Sequence, residues 1–218
     1  MNAYRAIGIF GGTFDPVHFG HLRTSLEIQQ QLKLDEMRLI PCKHPPHRPP
    51  PTASALHRLN MARLGVENSE LIVDDREMTR DGPSYSIDTL MSLRREFPRA
   101  SLNMVVRQDA FLELPSWYQW EKLIQLANII VICNIDWSMP KAGIMTDFFE
   151  AHALAPEESP KDFTAGRVMP LSVTALDIAA RKLRALMQAK RSIRFLVPEK
   201  VLDYIQKNDL YGYNEGSF

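Results

Sequence analysis

Cysteine is scarce: only Cys42 and Cys133 occur in 218 residues, far apart and in no Cys-x-x-Cys pair. That spacing leaves out a disulfide framework and a thiolate zinc site. It fits a reducing compartment, with both thiols expected as small buried hydrophobes. Net charge is lacking too, since 26 basic side chains balance 26 acidic ones. No broad electrostatic footprint for DNA or RNA follows, although a small basic site for one nucleotide stays open. No apolar run reaches the length of a membrane span, and the N-terminal residues enter the first strand candidate without an apolar leader region. A cytoplasmic protein with no membrane partner is expected. With 45% hydrophobic and 24% charged residues the chain has ordinary globular composition, which removes the disordered and fibrous classes. Its length suits one α/β domain with a sizeable core better than two large domains.

Hydrophobic patterning predicts strands at Ala6–Phe10, Met37–Ile40, Leu71–Asp74, Ser101–Val106, Asn128–Cys133 and Val168–Leu171. Helical spacing predicts helices over Phe19–Leu32, Ser54–Gly65, Ser84–Phe97, Ile144–His152, Ala175–Ala189 and Glu199–Lys207. Ser54 is a candidate N-cap, and Ser84 or Ser86 a candidate cap for the third helix. The alternation of strand and helix points to a doubly wound, Rossmann-like parallel sheet with helices on both faces, in a single domain. The run Ile129–Ile132 is apolar throughout, as a strand buried on both faces would be. The Pro/Glu-rich stretch Pro156–Pro160 is expected at the surface, and His152 at a helix end.

Chemistry concentrates in Ile7–His21, IGIFGGTFDPVHFGH, which reads as strand, glycine turn, helix. Gly11 and Gly12 let the backbone approach a phosphate closely, and the helix start that follows offers N–H donors and positive dipole charge. His18 and His21 are three apart, so both imidazoles lie on one side of the first helical turn and can face one anion. Taken singly, a Gly-Gly turn or a His pair is commonly structural; together they favour a nucleotide site. After the second strand, six prolines in Pro41–Pro51 exclude helix and central strand and leave a stiff extended loop. It carries Lys43, His44, His47 and Arg48. Such a tract suits a polyproline linker, but at a strand's carboxyl end it also suits a substrate phosphate.

The stretch Gly-Gly-Thr-Phe-Asp-Pro-Val-His-x-Gly-His resembles the signature of the nucleotidyltransferases that move an adenylyl or cytidylyl group, most closely bacterial nicotinate-mononucleotide adenylyltransferases. The resemblance extends from about Ile7 to Tyr211. It implies the reaction of ATP with nicotinate mononucleotide to give nicotinate adenine dinucleotide and pyrophosphate, with Mg²⁺ carried by ATP. It implies catalytic roles for His18 and His21, and ATP binding by Gly11, Gly12, Thr13, Phe14, Asp109, Ile178 and Arg184. Nicotinate mononucleotide binding is implied for Lys43, His47, Tyr85, Ser86 and Trp117, with no protein ligand set for a metal. Residues from about 172 to 211 would form a helical segment completing the ATP site, in a monomer or homodimer. Three positions depart from the family pattern: Arg107 stands where it has glycine, and Ala179 and Arg181 where it has hydroxyl residues. These departures keep a second reading open, a catalytically weakened or non-catalytic nucleotide-binding protein. An adenylyltransferase for another phosphorylated acceptor, such as phosphopantetheine, is a third.

Overall fold

The computed structural model describes residues 5–46, 49–133 and 139–213. The chain runs β1 (Ala6–Gly12), α1 (Phe19–Gln31), β2 (Glu36–Pro41), α2 (Ala55–Val66), β3 (Leu71–Val73), α3 (Ser86–Glu96) and β4 (Ser101–Arg107). It continues through α4 (Gln108–Leu112), α5 (Leu123–Leu126), β5 (Asn128–Cys133), α6 (Ile144–His152), β6 (Val168–Ser172), α7 (Ala180–Gln188) and α8 (Glu199–Lys207). The six strands form one sheet in the order β3-β2-β1-β4-β5-β6, and every neighbouring pair is parallel. The expected doubly wound α/β sheet is therefore present.

Alternation along the central strands sends side chains into two cores. Ala6 and Phe10 of β1, Val105 of β4 and Ile130 of β5 join the apolar faces of α1, α7 and α8 on one side. Ile7, Ile9, Met104, Val106, Ile129 and Val131 join Ile87, Leu90 and Leu93 of α3 and Met145 of α6 on the other. Burial on both faces is what the continuous apolar runs require. Pro170 sits in β6, the last strand of the sheet, whose strand partner is β5 and whose outer edge meets an isolated bridge to Ala153 at Val168; an edge strand tolerates a residue without an N–H. Among the described residues no helix is long and apolar enough to cross a membrane.

Four expectations change. The helix expected from Ala175 starts at Ala180, because Thr174 is tied by its N–H and its hydroxyl, both at 2.6 Å, to the carboxylate of Glu27 on α1. That tertiary tie keeps the chain extended across a stretch whose own pattern is helical. Neither Ser84 nor Ser86 caps α3; Tyr85 is the N-cap and makes no side-chain capping bond. Both cysteines are half-buried rather than buried, since they stand at the carboxyl ends of β2 and β5 where the sheet opens.

The fourth concerns Pro160, which is buried rather than at the surface. Its carbonyl accepts from Ser101 Oγ at 2.8 Å and from Asn128 Nδ2 at 3.1 Å. Asn128 Nδ2 also reaches Asn103 Oδ1 and the Phe163 carbonyl, each at 3.1 Å, while its Oδ1 accepts from Arg167 N. This amide pins the segment before β6 to the amino ends of β4 and β5. Asn128→Ala takes this partner from Asn103 Oδ1, the Phe163 carbonyl and Arg167 N, while the Pro160 carbonyl keeps Ser101 Oγ, so urea unfolding should show a loss of about 1–3 kcal/mol.

Candidate active site

The strand order reverses between β1 and β4, which places a crevice at their carboxyl ends, where open parallel sheets take ligands. Gly11 and Gly12 end β1 on one side of it, and Arg107 ends β4 on the other. Gly11 is exposed, and a Cβ there would meet nothing within 4 Å. Its glycine is therefore not demanded by packing and leaves open space at the crevice. Gly12 is different, because a Cβ would stand 2.8 Å from the Phe14 ring. Phe14 itself is buried, edge-on to His21 with ring centroids 4.9 Å apart, so its ring packs on that imidazole.

His18 is the N-cap of α1 and His21 lies in its first turn. Their rings stack with centroids 3.7 Å apart, and the Nδ1 atoms of both are buried without a hydrogen-bond partner. Burial lowers the His18 pKa to about 4. Burial also holds His21 well below the ordinary histidine value, helped by the adjacent His18 ring and by the Arg107 guanidinium. Two neutral rings thus face each other with donors and acceptors unspent, which costs free energy until an anion or other polar ligand arrives. Gly20 makes the approach possible: a Cβ there would lie 2.9 Å from His18 Nδ1 and 3.2 Å from the Ile178 carbonyl. Ile178 is thereby brought against the start of α1. The Phe19 N–H is already donated to the Leu196 carbonyl at 3.1 Å, so the helix start offers fewer free donors than the sequence pattern suggests.

Two residues that the sequence pattern does not single out bind the surrounding loops together. Arg58 of α2 is 1% exposed. Its Nη1 donates to the Thr13 carbonyl at 2.7 Å and the Cys42 carbonyl at 2.5 Å, its Nη2 to the Lys43 carbonyl at 3.1 Å, and its Nε to the Ala53 carbonyl at 3.2 Å. One guanidinium therefore joins the glycine turn to the proline loop. Asp15, also buried, accepts from Thr52 N, Ala53 N and the Tyr211 hydroxyl at 2.7–3.0 Å. Arg184 of α7 donates to the Asp15 carbonyl at 2.6 Å, so the C-terminal segment closes onto the glycine turn.

Ser84 continues the chain of contacts. Its Oγ accepts from Lys43 N at 3.1 Å and His44 N at 3.2 Å, while Glu77 sits beneath it, its carboxyl pushed up by burial. The proline loop is thus fastened to the start of α3, where Tyr85 and Ser86 stand. Lys43 Nζ donates to the Arg80 carbonyl at 3.1 Å. Tyr85 packs its ring against Tyr118, centroids 4.7 Å apart, which brings Trp117, half-buried against the second core, into the same neighbourhood. Asp109 is in the first turn of α4, exposed and paired with Arg107. His47 and Arg48 lie outside the described residues. The remaining expected residues fall into two groups, one around the glycine turn and one around the start of α3, coupled through Arg58 and Ser84.

A glycine turn feeding a helix with two stacked imidazoles whose Nδ1 atoms are unpartnered, at the switch point of a parallel sheet, is the site of a nucleotide-handling α/β protein. A family model described as cytidylyltransferase-like matches residues 9–161. A Methylococcus capsulatus protein named "Probable nicotinate-nucleotide adenylyltransferase" is 40% identical over 207 residues, spanning 94% of this chain and 99% of its own. A Pseudomonas entomophila protein of the same name is 44% identical over 213 residues, spanning 96% of each chain. Among solved structures, Plasmodium falciparum nicotinic acid mononucleotide adenylyltransferase complexed with NaAD superposes with a TM-score of 0.75 at 18% identity, covering 97% of this chain and 99% of that one. The chain belongs to the cytidylyltransferase-like family and, within it, to the nicotinate-nucleotide adenylyltransferases.

Proposed function

We propose that the protein transfers the adenylyl group of ATP to nicotinate mononucleotide, releasing pyrophosphate and giving nicotinate adenine dinucleotide for NAD biosynthesis. The observation that carries this reading is the stacked His18–His21 pair, its Nδ1 atoms unpartnered, at the sheet's switch point, coupled through Arg58 and Ser84 to the residues at the start of α3. A phosphate oxygen of the mononucleotide attacks the α-phosphorus of ATP in line. The bond from that phosphorus to the bridging oxygen breaks, and pyrophosphate leaves with the electron pair. The acceptor phosphate is its own nucleophile, so the protein's work is positioning and stabilisation of shifting negative charge.

In this reading Gly11, Gly12 and Thr13 cradle the polyphosphate, and His18 and His21 donate to the transferring group and the leaving pyrophosphate. Ile178, Arg184 and Asp109 complete the nucleotide side. On the acceptor side, Lys43 and His47 meet the mononucleotide phosphate. The N–H groups at Tyr85 and Ser86 receive the nicotinate carboxylate, and the Trp117 face carries the pyridine ring. Mg²⁺ would come with ATP, held mostly by polyphosphate and water oxygens, and would neutralise charge on the polyphosphate.

The test is pyrophosphate release from ATP and Mg²⁺ with nicotinate mononucleotide, nicotinamide mononucleotide or phosphopantetheine offered separately. Nicotinate mononucleotide should give the highest kcat/KM. Trp117→Ala should raise KM for that acceptor by about tenfold, a loss in the range of one aromatic contact, with KM for ATP nearly unchanged. Release with none of the three acceptors, alongside measurable ATP binding, would replace the enzyme reading with a nucleotide-binding module.

A further inference from the structure

We infer that Arg107 is a phosphate-binding cation of the nucleotide site, whose guanidinium leaves Asp109 when ATP enters and takes the polyphosphate. The inference rests on the reaction proposed above and adds a residue to it. Position is the first support. β1 and β4 pair as far as Phe10 and Val105, and two residues further along stand Gly12 on one strand and Arg107 on the other. The arginine and the glycine turn therefore flank the same crevice.

Availability is the second support. Arg107 is 71% exposed and its Nε donates to Asp109 Oδ1 at 3.1 Å, on a carboxylate that is itself 61% exposed. An ion pair open to water on both partners holds weakly. Among the described residues neither Nη of Arg107 is bonded to an acceptor, so the face of the fork that suits a phosphate is unspent. Its charge is also one of the causes that lower the His21 pKa, after burial and His18, so guanidinium and ring lie within electrostatic reach of each other.

The commitments of the other cations are the third support. Arg58 is consumed by four backbone carbonyls, Arg184 is held on Asp15, and Lys43 is turned to the Arg80 carbonyl. Both imidazoles are neutral in the free protein. With Arg58, Arg184 and Lys43 engaged, an incoming polyphosphate of three or four negative charges would meet Arg107 at the end of β4 and the exposed Arg181 at the start of α7 as cations not yet spent on the fold. A long, exposed arginine at the end of β4 supplies positive charge without burying it before ligand arrives, and so avoids the desolvation that buried charge incurs.

The experiment measures binding of ATP, ADP and AMP, with Mg²⁺, to the wild-type protein and to Arg107→Ala and Arg107→Lys, together with steady-state kinetics. Arg107→Ala should lose about tenfold to a hundredfold in ATP affinity, the range for hydrogen bonds to a charged group. The loss should shrink stepwise through ADP to less than about twofold for AMP. Arg107→Lys should recover part of the ATP affinity, and KM for nicotinate mononucleotide should stay within about twofold. Equal losses for ATP and AMP, or ATP affinity unchanged in Arg107→Ala, would overturn the inference. The binding series needs no acceptor, so a protein inactive with nicotinate mononucleotide but showing the phosphate-dependent loss would sink the proposed reaction and keep Arg107. An active protein indifferent to Arg107→Ala would do the reverse.

Discussion

His18→Ala lowers turnover by about a hundredfold or more, the usual cost of removing a donor aimed at developing charge, while the protein keeps its fold. The fold survives because the His18 side chain makes no capping bond to α1 and its Nδ1 has no partner to lose. The loss falls on chemistry because His18 and His21 are the stacked pair at the crevice. A neutral imidazole still has one N–H to give, and an anion placed against it favours a second proton as charge moves onto pyrophosphate. His18→Gln, which keeps an N–H donor, should retain more turnover than His18→Ala. The checks are kcat for pyrophosphate release and a thermal melt of each variant; near-wild-type turnover in His18→Ala would remove this side chain from the mechanism.

The same residue should report in acid. The folded His18 titrates at about 4 against 6.5 for the ordinary side chain, so between those values the unfolded chain binds a proton that the folded chain refuses. Its contribution is therefore intact above about pH 6.5 and is lost as pH falls toward 4. His18→Ala removes that penalty, and its unfolding midpoint should fall less steeply than that of the wild type over this window.

Period-two and apolar runs placed all six strands, because burial on one or two faces of a sheet leaves its mark on neighbouring residues. The glycine turn and the His pair were legible for a similar reason: every residue needed for them lies between Ile7 and His21. What escaped notice depends on distant partners. The start of α7 is set by Thr174 bonding to Glu27, 147 residues away. Ser84 read as a cap, since a serine before a helix usually is one, yet its hydroxyl is spent on the loop at Lys43 and His44. Asp15 lies within the Ile7–His21 stretch, yet nothing there signals that Tyr211, 196 residues on, donates to it. Arg58 has the local surroundings of any charged residue on an amphipathic helix, and only the assembled fold turns it inward.

Arg58→Ala should destabilise the protein by about 3–5 kcal/mol, the range for breaking a buried charged contact set, read as a lower urea midpoint. Burial alone pulls the Arg58 pKa down, and the nearby Cys42, Asp15 and Tyr211 pull the other way; a guanidinium nevertheless stays charged, so its charge is compensated by carbonyl oxygens. Removing it strands those of Thr13, Cys42, Lys43 and Ala53. Arg58→Lys keeps the charge, but one ammonium cannot span carbonyls on three separate segments. It should fold at low temperature yet lose about tenfold or more in kcat/KM, because the glycine turn and the proline loop then hold the two substrates in less exact register. This separates Arg58 from His18: the histidine variant is stable and slow, whereas the arginine variants are slow because they are loose. Arg58→Lys with wild-type midpoint and kcat/KM would mean that the turn and the loop are held in register by Ser84, Asp15 and the Cys42 N–H to Gly12 carbonyl bond at 2.8 Å without the guanidinium.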